Sequence, residues 1–353
     1  MIPPKALAAN QTFDYVVVGA GLSGITVANR LSGQGYSTLV IEAGPDARWN
    51  PEELALVEAR RSMECDLQVE QGAGLDPSVH GFSGVVNVSF PTPMRIPEAV
   101  ALYKEALPLT FPGLVVSNDI SNRSADHTVS ASTSWTMWYD ALTGHNLRSS
   151  AADALLWAPG QQKDTLTILT NHKVDKVIFT DNLTASGVIF GIKPDSEVSG
   201  SLSGLYTVKA FKEVILSAGA LASASVLERS GIGRPAVLQA AGVQPLLDLP
   251  GVGVNLVDQP GTGASALVAD QYQNQTEIID DLGSAIFAPV ISLINIDQIW
   301  SADASSYYDE LTSANNTVAR AAALVSSGAA ANIEGAVAIL NATIDLVANQ
   351  KCR

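Results

Sequence analysis

Three glycines and one carboxylate carry the clearest chemistry in this chain. Gly19, Gly21 and Gly24 are spaced G-x-G-x-x-G, and Glu42 follows after an apolar helical stretch and a short apolar run. Each type has a mechanical reason. Gly19 permits a tight turn, Gly21 lets the backbone approach a pyrophosphate, and Gly24 lets a helix and a strand pack closely. The helix that begins there offers unpaired N–H groups and its positive end to phosphates. A carboxylate at the position of Glu42 can accept hydrogen bonds from ribose hydroxyls. The chemistry implied is the holding of a dinucleotide.

Such a grip needs two strands and a helix to position it. Tyr15 to Val18 is an apolar run suited to a buried parallel strand. Ile25, Val27, Ala28 and Leu31 then recur at helical spacing, and Gly33 and Gly35 stop the helix. Ser37 to Ile41 is a second strand that ends at Glu42. Strand, glycine turn, helix, strand and acid form the βαβ dinucleotide fingerprint. The unit alone leaves FAD and NAD both open.

With 353 residues, 47% hydrophobic and 16% charged, the chain is long enough for two domains with cores. A formal net charge of -15 argues against nucleic acid and anionic membrane surfaces as partners. No apolar run reaches the length of a membrane span; the best candidate, Ala285 to Ile296, is short and contains Pro289. Met1 to Asn10 lacks the apolar core of a signal peptide, although Ala6-Leu7-Ala8 has the small-residue pattern of a cleavage site. Seven N-x-S/T sequons, at Asn10, Asn87, Asn122, Asn182, Asn274, Asn315 and Asn341, point to a secretory history and a glycoprotein. Without one, the expectation is cytoplasmic. Cys65 and Cys352 are two thiols that set neither a disulfide nor a redox compartment. No metal is expected.

Taken in order, residues 1–12 read as a loose leader. Trp49 to Arg61 reads as a charged helical stretch, Val85 to Phe90 as a half-buried strand, and Pro93 to Leu107 as a helix closed by Pro108. Ser117 to Trp138 is polar and reads as loops, with Trp135 and Trp138 bringing aromatic surface. A short helix is predicted over Ala151 to Trp157. Five strands follow, over Leu166 to Thr170, Val174 to Thr180, Ala185 to Ile192, Leu205 to Ala210 and Glu213 to Ser217. The last leads through small residues to a helix over Ala222 to Arg229, capped by Ser230-Gly231. Small residues after a strand again suit close approach to a cofactor. The tail reads as helical from about Thr317 to Asn349, interrupted at Gly328 and Gly335.

These pieces together resemble the glucose–methanol–choline (GMC) oxidoreductases, with wording closest to fungal members. The resemblance rests on G-A-G-L-S-G with E-A-G in 16–44 and H-G-F-S-G-V-V-N-V-S at 80–89. It continues in R-S-S-A at 148–151 with L-T-I-L-T-N-H-K-V-D-K-V at 166–177, in S-A-G-A-L-A-S-A-S-V-L-E-R-S-G-I-G at 217–233, and in L-P-G-V-G-V-N-L-V-D-Q-P at 249–260. The fourth stretch departs from the family's wording at Ala224, where proline is usual. The fifth departs at Val254 and Gln259, where glutamate and histidine are usual. The resemblance implies FAD as cofactor. By position it implies that Gly19, Gly21 and Gly24 hold the pyrophosphate and that Glu42 binds the AMP ribose. Val174 would meet the adenine through its backbone, and Ala218 and Gly219 would lie against the adenosine half. The implied fold class is α/β: a Rossmann-type FAD domain with a β-meander, from 13–48 and 148–260. An α+β substrate domain is implied by the inserted segments 49–147 and 261–353.

The implied activity is oxidation of the CH–OH group of a small alcohol, with hydride passing to flavin N5 and a histidine taking the hydroxyl proton. Two family parts are not found: a G-G-S-S-x-x-N loop between Glu42 and His80, and the C-terminal part that carries the catalytic histidine. The chain is therefore expected to be a fragment. His80 and His172 fall at structural positions of the family, and His127 and His145 fall in polar stretches, so no catalytic residue is assigned. Two other readings stand beside this one: a non-catalytic nucleotide-binding relative, and an NAD-dependent dehydrogenase.

Overall fold

The structure is a computed structural model. It describes residues 11–45, 84, 86–88, 98–117, 129–132, 137–140, 145–157, 161, 163–193, 202–258, 290–294 and 296–348. The chain divides into two compact units, Met1–Val57 with Ser150–Val257, and Glu58–Ser149 with Asp258–Arg353.

The first unit is built on a six-stranded sheet. Its elements in chain order are β1 (Thr12–Val18), α1 (Leu22–Gly33), β2 (Thr38–Ile41), β3 (Leu166–Leu169), β4 (His172–Phe179), β5 (Ala185–Ile192), β6 (Ser203–Leu216) and α2 (Gly219–Arg229). In space the strands run β3-β2-β1-β6-β5-β4. The first four are parallel, and β5 and β4 extend the sheet as an antiparallel meander. β1 lies at the centre of the parallel part because Val16, Val17 and Val18 bury both faces. Val16 and Val18 join Leu39, Ile41, Val208 and the α2 residue Val226 in one apolar layer. Val17 and Val40 turn to the other face, against Ala28 of α1. A helix on each face is the layering that a buried parallel sheet demands.

Two predicted strands prove to be one. Leu205 to Ala210 and Glu213 to Ser217 are joined in β6, a 14-residue strand. Its first half pairs antiparallel with β5 and its second half parallel with β1. The change of partner falls at a bulge: Phe13 faces Ala210 while Tyr15 faces Glu213. The extra residue lies in the exposed Phe211-Lys212 stretch, where a bulge can bend the strand without breaking it. α2 also begins earlier than predicted, at Gly219, and ends at Arg229, with Ser230 as its C-cap and Gly231 in the left-handed region.

In the second unit, Val115–Ser117, Val129–Ser132 and Val290–Leu293 form a three-stranded sheet, and Met137–Asp140 pairs with His145–Arg148. The polar stretch 117–138 is thus not all loop. Helix Glu98–Thr110 runs through Pro108 instead of ending before it. A proline in the last turn forfeits one backbone bond, and the helix has few bonds left to lose there. Helices Ala314–Ser326 and Ile333–Ala348 pack through Ala321, Ala330 and Ala336. Gly328, at φ 76°, breaks the chain between them. Gly335 does not interrupt; it sits in the first turn, where its N–H donates to Asn332 Oδ1 at 2.7 Å. Of the predicted strand over Val85 to Phe90, the described residues 86–88 are irregular and the rest lies outside the described residues, as does Trp49 to Arg61.

Candidate functional site

A cleft of about 570 Å³ opens at the carboxyl ends of the parallel strands. It is lined by Gly19, Gly21, Leu22 and Ser23 from the glycine turn, by Glu42 from the end of β2, and by Leu216, Ser217, Ala218, Gly219 and Ser223 from the end of β6 and the start of α2. This is where a parallel α/β sheet presents ligand sites. The N-termini of α1 and α2 both open into the cleft. Neither is capped by a side chain of its own N-cap residue, Gly21 or Ala218. Two uncapped ends aimed at one space favour an anion there.

The glycines divide the labour. Gly19 has φ 96°, and a Cβ there would lie 2.6 Å from the Ser217 carbonyl oxygen. Gly24 has an ordinary backbone, but a Cβ would lie 2.0 Å from the Gly19 oxygen. Both are glycine because the protein itself leaves no room. Gly21 is different. Its φ of -66° and ψ of -178° suit any residue, and a Cβ would meet nothing within 4 Å. Nothing within the described protein requires glycine at 21; the open space beside it belongs to the cleft.

Glu42 is held by the backbone around it. Its Oε2 accepts the Ala20 N–H at 2.6 Å and its Oε1 accepts the Gly44 N–H at 2.5 Å. Its own peptide is fixed by the next strands: the Glu42 N–H donates to the Leu169 oxygen at 2.8 Å, and the His172 N–H donates to the Glu42 oxygen at 3.0 Å. On the opposite side of β1, the Ser217 hydroxyl shares its one proton between the Val18 oxygen at 2.9 Å and the Gly19 oxygen at 3.1 Å. Ser223 Oγ accepts the Ala218 N–H at 3.1 Å.

Of the residues singled out from sequence, Gly19, Gly21, Glu42, Ala218 and Gly219 line the one cleft, and Gly24 packs directly beneath it. Val174 does not line it. It is buried in β4, and its carbonyl accepts from Arg229 at 3.3 Å. Ser217 and Ser223 were given no role from sequence; the signal was a serine closing a strand directly before small residues. His80 and His127 lie outside the described residues, and His145 falls in the strand His145–Arg148. His172 is buried, with Nδ1 2.8 Å from the Thr170 oxygen, and stacks edge-on to Phe190. Among the described residues no cluster of His, Cys, Asp or Glu could hold a metal ion. Nor is any described helix long and apolar enough to cross a membrane.

Residues 112–261 match the family model described as GMC oxidoreductase, and residues 17–53 match that of the NAD(P)-binding Rossmann-like domain. The chain thus carries a GMC oxidoreductase domain over residues 112–261. Among curated relatives, the alcohol oxidase of Candida boidinii is 35% identical over 51% of this chain and 25% of its own length. The glucose oxidase of Aspergillus carbonarius is 31% identical over 76% of this chain and 43% of its own length. The chain thus spans well under two thirds of the curated relatives it matches. Two solved structures share the fold. An FAD-dependent oxidoreductase from Chaetomium thermophilum has a TM-score of 0.61 at 21% identity, over 88% of this chain and 65% of that one. A fungal aryl-alcohol oxidase has a TM-score of 0.58 at 20% identity, over 90% and 65%. FAD is the cofactor that the family implies. The cleft fits its adenylate half: two helix N-termini for the diphosphate, a carboxylate at the strand end for the ribose, and a glycine left open toward the ligand.

Proposed function

We propose that this chain binds FAD and is the cofactor-holding part of an oxidoreductase that acts on the CH–OH group of a small alcohol or sugar. The observation that carries the binding half is Gly21, a glycine demanded by neither its backbone nor its neighbours, opening onto a cleft between two helix ends. The choice of FAD over NAD rests on the GMC model, which covers the stretch beyond the shared βαβ unit. Within the cleft, the N–H groups at the start of α1 bind and orient the diphosphate. Glu42 keeps lone pairs for the ribose hydroxyls beyond its two backbone bonds. Ala218 and Gly219, at the second helix end, lie along the adenosine half. Bound flavin supplies the hydride acceptor that the protein's own side chains lack. The substrate domain would come from 49–147 and 261–353, and the alcohol oxidase and glucose oxidase relatives support a small alcohol or sugar as the substrate class.

The test is a visible spectrum of the purified chain incubated with FAD, then with methanol, an aryl alcohol and glucose. A protein-bound flavin spectrum that bleaches anaerobically with one of them is the expected result. Bound flavin that no alcohol bleaches would leave a cofactor-binding relative without this chemistry. Preference for NAD over FAD in competing titrations would overturn the reading.

A further inference from the structure

The peptide unit between Gly19 and Ala20 is gripped from both sides of the strand it follows. Its carbonyl oxygen, that of Gly19, accepts the Ser217 hydroxyl at 3.1 Å. Its N–H, that of Ala20, donates to Glu42 Oε2 at 2.6 Å. Carbonyl and N–H of one trans peptide point in opposite directions. The two partners accordingly come from opposite neighbours of β1: Glu42 from the end of β2, and Ser217 from the end of β6. Among the described hydrogen bonds, Ser217 is the one that reaches the Gly19 carbonyl, whereas the Val18 carbonyl also has the Ser217 N–H at 2.9 Å. Gly19 adopts φ 96°, where glycine is free to rotate its peptide planes. Without a restraint, this is the joint of the turn at which a plane could flip. A flip would turn the Gly19 carbonyl, a negative dipole end, toward the Glu42 carboxylate and take the Ala20 N–H away from it, which would disturb the turn whose next N–H groups line the cleft. Consistent with the grip, Ala20 is absent from the cleft lining while Gly21, Leu22 and Ser23 are present.

We propose that Ser217 and Glu42 are a pair of positioning residues that lock the Gly19–Ala20 peptide, so that the next N–H groups of the turn face the diphosphate. Ser217 acts through the peptide, and Glu42 acts on it in addition to any contact with ribose. The affinity arm of the test rests on the cofactor reading above; the exchange arm does not. The chain is compared with Ser217→Ala, Ser217→Thr, Glu42→Gln and the Ser217→Ala/Glu42→Gln pair. In the cofactor-free chain, amide hydrogen exchange at Ala20 is expected to speed up about tenfold in Ser217→Ala, while Val16 to Val18 keep their protection. FAD binding, read by flavin fluorescence, is expected to weaken about tenfold in Ser217→Ala and to recover in Ser217→Thr, which keeps the hydroxyl. The double variant is expected to bind more tightly than the product of the single losses predicts, because one unlocked peptide cannot be unlocked twice. Unchanged Ala20 exchange in Ser217→Ala, or losses that multiply, would overturn the lock. If the unmodified chain takes up no FAD, the functional reading falls, and the exchange measurement still decides the lock.

Discussion

At residue scale, the three glycines of one motif are expected to fail in different ways. A methyl group at Gly24 has to displace the Gly19 carbonyl, since the new carbon would start 2.0 Å from it. Gly24→Ala is therefore expected to lose about 1–3 kcal/mol of stability, as overpacked sites do, and to show it as a lower Tm without any ligand. Gly21→Ala meets open space and an unstrained backbone. Its cofactor-free Tm should stay within about 1 °C of the parent, consistent with an unburied change, while FAD affinity falls tenfold or more because the methyl occupies ligand space. Equal losses of Tm in the two variants would remove the distinction on which the cleft assignment rests. The spacing G-x-G-x-x-G shows that something is gripped. It does not show which glycine is set by the ligand and which by the fold, because that depends on what lies across the turn from β6, about two hundred residues later. Ser217 was illegible for the same reason: its partners are carbonyls of a turn that sequence spacing does not place beside it.

At element scale, α2 is bolted to the meander at its C-terminal end. The Ser230 hydroxyl donates to the Val226 oxygen at 2.6 Å and accepts the Val177 N–H at 2.9 Å. Arg229 pairs with Asp175 at 3.1 Å and donates to the Asp175 oxygen at 2.7 Å. Ser230→Ala leaves a partly buried strand N–H without its partner and is expected to cost about 1–3 kcal/mol, measured as a shifted urea midpoint. Arg229→Ala should cost less from its ion pair, which is partly exposed and screened by solvent. In helix Glu98–Thr110, burial holds the Lys104 ammonium below its ordinary value of 10.5. Between the lowered and the ordinary value the unfolded chain binds more protons than the folded one, so stability rises with pH through that window. Below it the folded state carries a desolvated charge, and Lys104→Met is expected to raise Tm at neutral pH and to flatten the alkaline rise. The parallel strands were legible because a strand buried on both faces has no alternative to a continuous apolar run, as in Val16 to Val18. The bulge in β6 was not, since Phe211-Lys212 reads as a break between strands. The helix through Pro108 shows the opposite error, a strong local signal outweighed near a helix end where little remains to be broken.

At the scale of the whole molecule, charge sets how an anionic cofactor arrives. The sequence carries 35 acidic against 20 basic residues, a net charge of -15. A far field of that sign repels a diphosphate, whereas the two helix ends at the cleft attract it only within about their first turn. Approach and capture therefore respond differently to salt. Raising the ionic strength from about 0.01 M to about 0.15 M shrinks the Debye length from about 30 Å to about 8 Å. That removes the long-range repulsion and leaves the short contacts in the cleft largely intact. The association rate of FAD, followed by stopped-flow fluorescence, is expected to rise a few-fold over that range, with a much smaller change in the dissociation rate. A neutral apolar dye directed to the same protein should show no such rise. An association rate that falls with added salt would mean that a local basic field dominates the approach, and then the grip on the diphosphate could not rest on backbone N–H groups at helix ends alone.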